Sequence, residues 1–310
     1  MSADAPLIAL PDRGFLTVTG SEATAFLQGL VTCDMRAVES GATGAAGAAR
    51  YGAFLTPQGK VLHDFFICAK PGGGGFVLDV AASEHEAFAK RLTLYRLRRD
   101  VTIETLGDGW QVAVALPPLA LEPLEPDLRA PGTVLEATDE QVRFVDPRGA
   151  GLGVRVYTSQ PIAPFDDGPA TYRTCRLRAG AAEAPGEVLP GTDFAHEVGL
   201  PEIGAVAYDK GCFLGQEILA RMKHRSTARK RLLPFEGPAT GLAADASIEA
   251  EGKTVGAFRD YRDGMGFALV RVDRLLKALE DGTPLLADGQ PVQLTLPEGW
   301  TLAEPSRDHG

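Results

Sequence analysis

The chain has 310 residues, 45% of them hydrophobic, and a formal net charge of −10. That length and apolar content fit two packed domains, or one large domain plus a small one, and exclude a globally disordered chain. The acidic balance argues against nonspecific nucleic-acid binding by the body, no apolar run reaches the roughly 18 residues that cross a bilayer, and the first residues lack a signal-peptide pattern, so a cytoplasmic protein is expected.

Residues 7–18 predict a short strand ending in a glycine turn. "SEATAFLQGLV" predicts a helix with Ser21 as N-cap and an apolar face of Ala25, Phe26, Leu27, Leu30 and Val31. A small-residue loop follows at 41–50. "YGAFLTPQGKVLHDFFICAK" reads as a β-hairpin around a Pro-Gln-Gly-Lys turn, and "FVLDVA" as a third strand. "SEHEAFAKRLTLYRL" places Ser83 and Glu86 at capping-box spacing before an amphipathic helix. "DVTIETL" and "WQVAVAL" predict further strands. Residues 117–131 are proline-rich and irregular. "VRFVDPRGAGLGVRVYT" returns to strands, and "PATYRTCRLRAG" predicts a helix. After Arg231 the texture changes to short strands with glycine turns and one helix near "DRLLKALED", the pattern of a small β-barrel. Hairpins and helices without strict βαβ alternation predict an α+β body over 1–232 and a separate barrel over 233–310. No dinucleotide or P-loop glycine pattern is present.

Cys33, Cys68, Cys175 and Cys212 are far apart, with no local metal-binding pair, so no permanently bound metal is expected. Cys68 closes the run "FFIC" and reads as a buried strand residue; Cys33 and Cys175 read as structural. Cys212 differs. It follows Lys210-Gly211, and a helix is expected from about Leu214. That places the thiol just before a helix N-terminus, where the backbone favours an anion, including a thiolate. A buried structural thiol is the plain alternative. A basic ribbon follows: Arg221, Lys223, Arg225, Arg229, Lys230 and Arg231. It is either a solvated helix face or a contact for an anionic ligand. One thiolate cannot hold a cluster that usually takes four, which leaves a transient bond to a cluster, a persulfide or a partner thiol.

The segment "KGCFLGQE" resembles the K-G-C-[FYW]-x-G-Q-E signature of the YgfZ proteins, relatives of the glycine-cleavage aminomethyltransferase and of mitochondrial iron–sulfur assembly factors. "FLQGLVTCD", "AFLTPQGKVLHDFF", "YRLRRDVTIE", "DPRGAGLG" and "ARMKHRSTARKRLLP" resemble further blocks of that family in order, over roughly residues 14–235. The resemblance implies a three-lobed, aminomethyltransferase-like folate-binding body with a central channel and a C-terminal β-barrel. It implies tetrahydrofolate or another reduced folate as ligand, and a role in assembling or repairing iron–sulfur proteins, with assembly proteins or client apo-enzymes as partners. On this reading Cys212 is the functional thiol. Lys210, Arg221, Glu197 and Asp64 are candidate ligand contacts, and Gln216 and Glu217 brace the turn or touch the ligand. Two departures stand out. Arg178 in "CRLRAG" and His63 in "LHD" occupy positions where aminomethyltransferases resemble carboxylates. Two alternatives stay open: a tetrahydrofolate-dependent one-carbon transferase, and an RNA-binding or RNA-modifying module resting on the basic ribbon alone.

Overall fold

A computed structural model of the chain describes residues 6–39, 48–107, 109–122, 124–163, 165–225, 228–243 and 246–302. Most of the small-residue loop expected at 41–50, and the side chains of His224 and Arg225, lie outside the described residues. The chain divides into two compact units: unit 1 comprises 1–55, 62–175 and 203–214, and unit 2 comprises 56–61, 176–202 and 215–310.

Among the described residues, ten strands precede residue 160: β1 (Ile8–Ala9), β2 (Arg13–Thr19), β3 (Arg50–Leu55), β4 (Val61–Ala69), β5 (Gly75–Ala81), β6 (Thr102–Leu106), β7 (Gln111–Ala115), β8 (Val134–Ala137), β9 (Gln141–Val145) and β10 (Val154–Thr158). They form two five-stranded sheets, ordered β3-β4-β5-β2-β6 and β1-β7-β10-β9-β8. The helices here are α1 (Ala23–Gln28), α2 (Met35–Glu39) and α3 (His85–Arg96). One core cluster joins Leu16, Val18, Phe65, Ile67 and Leu78 of the first sheet to Phe26 and Leu27 of α1 and Phe88 and Leu92 of α3. The expected hairpin and strands are therefore present, because each run places its apolar residues on a face that this core buries.

Both predicted N-caps are corrected. Helix α1 is preceded by Glu22, and Ser21 Oγ instead donates to Asp100 Oδ2 at 2.6 Å. Helix α3 begins at His85 after Glu84, too late for a cap at Ser83, and no side chain caps it.

A charged network lies inside unit 1. Asp79 on β5, with no exposed surface, accepts from Arg13 Nε at 2.6 Å and from Arg155 Nε at 2.6 Å. Arg148 pairs with Asp146 at 2.9 Å and donates to Tyr172 Oη at 2.9 Å. The Arg155 guanidinium lies 3.7 Å and that of Arg148 4.6 Å from the centre of the Phe66 ring. The buried cations are thus met by carboxylates and an aromatic face, as burial demands.

Helix α4 (Gly168–Arg178) leads into unit 2, which carries α5 (Gln216–Arg225), α6 (Val272–Glu280) and strands β11 (Lys230–Glu236), β12 (Ser247–Ala250), β13 (Lys253–Arg262), β14 (Met265–Arg271), β15 (Leu286–Ala287), β16 (Gln290–Pro291) and β17 (Gln293–Leu294). These strands form one sheet, β16-β15-β12-β13-β14-β11-β17, a nearly closed β-barrel. Helix α6 buries Val272, Leu275 and Ala278, one face at a three-residue interval.

Candidate functional site

Cys212 is exposed, whereas Cys33 and Cys68 are buried and Cys175 is half-buried. Burial pushes the Cys33 thiol up to about 11 and the Cys68 thiol up to about 12, the behaviour of inert core cysteines. Cys212 is thus the most solvent-accessible of the four thiols.

Its turn is held from below. Gly211 adopts φ +96°, open to glycine and strained for other residues. On one side of it Lys210 is 3% exposed, and its ammonium donates to the backbone carbonyls of Val31 at 2.6 Å and Cys33 at 2.7 Å. Burial lowers the Lys210 pKa from 10.5 to about 8, with the nearby Cys33 and Asp34 opposing that fall, so the ammonium persists at neutral pH. The same ammonium lies 5.0 Å from the Phe213 ring centre. The backbone is tied too: Gln28 Nε2 donates to the Lys210 carbonyl at 3.2 Å, and the Leu214 N–H donates to the Gly29 carbonyl at 3.1 Å. Phe213 is buried and Leu214 packs on the core containing Phe26 and Leu27. The signature and the segment 28–33 form one clasp, with lysine and phenylalanine inward and cysteine outward.

Lys210 was expected to touch an anionic ligand; its ammonium is instead spent on two carbonyls of its own unit. The expected helix start near Leu214 is also corrected. Gly215, at φ +81°, breaks the backbone, and α5 begins at Gln216, four residues after Cys212. Cys212 therefore lies outside the capping positions through which a helix terminus acts on an anion.

Asp64, on β4, is buried and accepts from Tyr51 Oη at 2.5 Å. It belongs to unit 1 with Lys210 and Cys212, while Glu197, Gln216, Glu217 and Arg221 belong to unit 2. Glu197 is half-buried, which raises its carboxyl pKa, and it accepts from the Phe194 N–H at 3.3 Å. Gln216 is half-buried, and Glu217 and Arg221 are exposed on α5.

The basic ribbon is not uniform. Arg221, Lys223, Arg229 and Lys230 are exposed. Arg231 is buried, pairs with Glu202 at 2.8 Å, donates to the His196 carbonyl at 2.7 Å and lies 4.9 Å from the Trp300 ring centre. It is an anchor inside unit 2 and not part of an anion-binding face. His63, where the related transferases resemble a carboxylate, is buried and stacked on Phe88 at 4.7 Å. Burial, with a smaller push from Arg91, lowers its pKa to about 4, so it is neutral at physiological pH. Arg178 is exposed at the end of α4. Among the described residues, no cluster of three or more His, Cys, Asp or Glu could hold a metal ion.

Comparison with known proteins adds the family. The chain is 31% identical to the mitochondrial iron–sulfur cluster assembly factor IBA57 of Mus musculus, over 95% of this chain and 85% of the mouse protein. It is also 31% identical to the Homo sapiens factor, over 91% of this chain and 83% of that protein. The chain belongs to the IBA57 family. A mitochondrial IBA57 homologue from Chaetomium globosum is 32% identical over 74% of this chain, a match that spans 56% of that longer protein. Residues 229–302 match the CAF17 C-terminal beta-barrel domain. The fold is that of glycine cleavage system aminomethyltransferase T from Bartonella henselae, with a TM-score of 0.68 at 15% identity, over 95% of this chain and 85% of that one. These IBA57 relatives overturn the cytoplasmic expectation. Those relatives are mitochondrial proteins. No helix among the described residues is long and apolar enough to cross a membrane.

Proposed function

We propose that this chain is an accessory factor in the assembly or repair of iron–sulfur proteins, of the YgfZ type within its wider family, and that Cys212 is its working thiol. The observation that carries this reading is the clasp. Lys210 and Phe213 are buried on either side of an exposed Cys212, so the signature displays a thiol where a partner can reach it. The partners are the assembly machinery or client apo-proteins. A lone thiolate suits a transient bond to a cluster iron or a partner sulfur, since resident clusters usually take about four cysteines.

The aminomethyltransferase-like body binds a reduced folate, tetrahydrofolate or a near relative. The donor set fits in kind. A pterin presents N–H donors, which a carboxylate such as Glu197 accepts, and the glutamate tail is anionic, which suits exposed Arg221 of the same unit. When bound, the folate supplies one-carbon carrying capacity; this chain's residues orient it. A transferase reading is weaker because neutral His63 and exposed Arg178 provide no carboxylate.

Titration calorimetry with mono- and polyglutamylated tetrahydrofolate tests the ligand. Binding that strengthens with glutamate number and weakens with salt is expected. No heat at millimolar ligand refutes it. Aminomethyl turnover with a lipoyl carrier and ammonia would favour the transferase.

A further inference from the structure

Helix α3 ends at Arg96, and the Arg99 N–H donates to the Arg96 carbonyl at 3.1 Å, closing a four-residue turn. Leu97 holds its second position at φ 53°, ψ −115°. That is the geometry of a type II′ turn, which glycine adopts freely and a side-chain-bearing residue adopts under strain. Leu97 is nevertheless 82% exposed, and Leu94, three residues earlier, is 75% exposed. Lys90, Arg91, Arg98 and Arg99 around them are exposed as well. Among the described residues neither Arg91 nor Arg98 forms an ion pair; Lys90 has a loose one, 3.9 Å from Glu86. On a chain of net charge −10, a strained leucine is displayed to water among four cations, with the exposed Asp100 carboxylate beyond Arg99 turned to Ser21.

We infer that this face docks an acidic protein partner whose surface carries an apolar socket for Leu97. Charge complementarity sets the sign of the partner surface, and the two exposed leucines supply apolar area to bury against it. The place is apt. The Arg99 guanidinium lies 6.0 Å from the Phe26 ring centre on α1, and Gln28 and Gly29 at the end of α1 hold the turn of Cys212. Phe26 and Gly29 are only about 4.5 Å of helix rise apart. The α3 turn and the exposed thiol therefore belong to one unit and are linked through α1. A membrane is a poorer occupant. Two leucines offer about eight side-chain carbons, fewer than the single fatty-acyl chain that alone gives only marginal binding.

The inference rests on the proposed role in iron–sulfur assembly, which supplies the partner class. The test uses full-length protein and purified, cluster-loaded carrier proteins of the cell's own assembly machinery that have net negative charge, followed by fluorescence anisotropy. Wild type is expected to bind, more weakly at about 300 mM than at about 50 mM salt. Leu97→Gly should bind about tenfold more weakly or worse while its Tm stays the same or rises, because glycine relieves the turn. The double variant Arg91→Glu/Arg98→Glu should lose binding and most of the salt dependence. Equal binding by the surface variants overturns the inference and leaves the assembly role standing. It is also overturned if no acidic carrier binds wild type. The same holds if the surface variants lose only attachment to anionic vesicles, or only self-association. Failure of the assembly role itself reads differently: full activity of cluster enzymes in cells lacking the gene.

Discussion

Replacing Lys210 by methionine removes the ammonium while keeping its length. Two charge-assisted bonds to carbonyls are lost, at about 1.5–3 kcal/mol each, or about 3–6 kcal/mol together. Against this stands the cost of burying the charge. Lowering the pKa from 10.5 to about 8, at ~1.4 kcal/mol per pKa unit, costs about 3.5 kcal/mol. The net loss is at most about 2.5 kcal/mol at pH 7, a modest change in the urea midpoint. The local effect is larger, because the Val31 and Cys33 carbonyls lose their shared donor and the turn is released. Alkylation of Cys212 at fixed pH, followed by mass spectrometry, should run at a distinctly different rate in the variant. The pH dependence has a definite sign. The folded pKa is the lower one, so the unfolded chain binds more protons between about pH 8 and 10.5. Wild type therefore gains stability across that window, and Lys210→Met loses this gain. Unchanged alkylation together with an unchanged pH profile would show that Lys210 does not hold the turn.

Three further outcomes are expected. Limited alkylation of the native protein should label Cys212 first and leave Cys33 and Cys68 unmodified until urea unfolds the chain, as peptide mapping would show. Glu197→Gln should stabilise the protein at neutral pH by removing a half-buried charge. The folded carboxyl pKa lies above 4.5, so wild-type stability falls as pH rises through that range, and the variant's urea midpoints should lack the fall. Gly199→Ala should lower Tm strongly, by the equivalent of ~3 kcal/mol or more. Gly199 adopts φ +76°, and its new Cβ would lie 2.0 Å from the Trp300 ring; an unchanged calorimetric transition would contradict the packing described for unit 2.

Much of the fold was legible because strands such as "FFIC" and "WQVAVA" advertise buried faces over a few residues. The cap at Ser21 was misread because its partner, Asp100, lies 79 residues away. Lys210 was misread for the same reason. Its carbonyl partners lie 179 and 177 residues upstream, so local spacing suggested a ligand contact where the fold makes an internal anchor. Arg231 looked like its basic neighbours, and only the packing of Trp300 and Glu202 sets it apart. The block "FLQGLVTCD" was recognised as a unit but given no task; its Gln28 and its carbonyls prove to seat the signature turn. Cys212 itself was legible, since an isolated cysteine beside a glycine turn stands out from three in ordinary surroundings.

The most direct measurement is complementation of a strain lacking the gene, with several iron–sulfur enzymes assayed alongside the cellular level of folded protein. Wild type should restore those activities, and Cys212→Ala should accumulate as folded protein yet fail to restore them. Full restoration by Cys212→Ala would contradict the role given to the thiol.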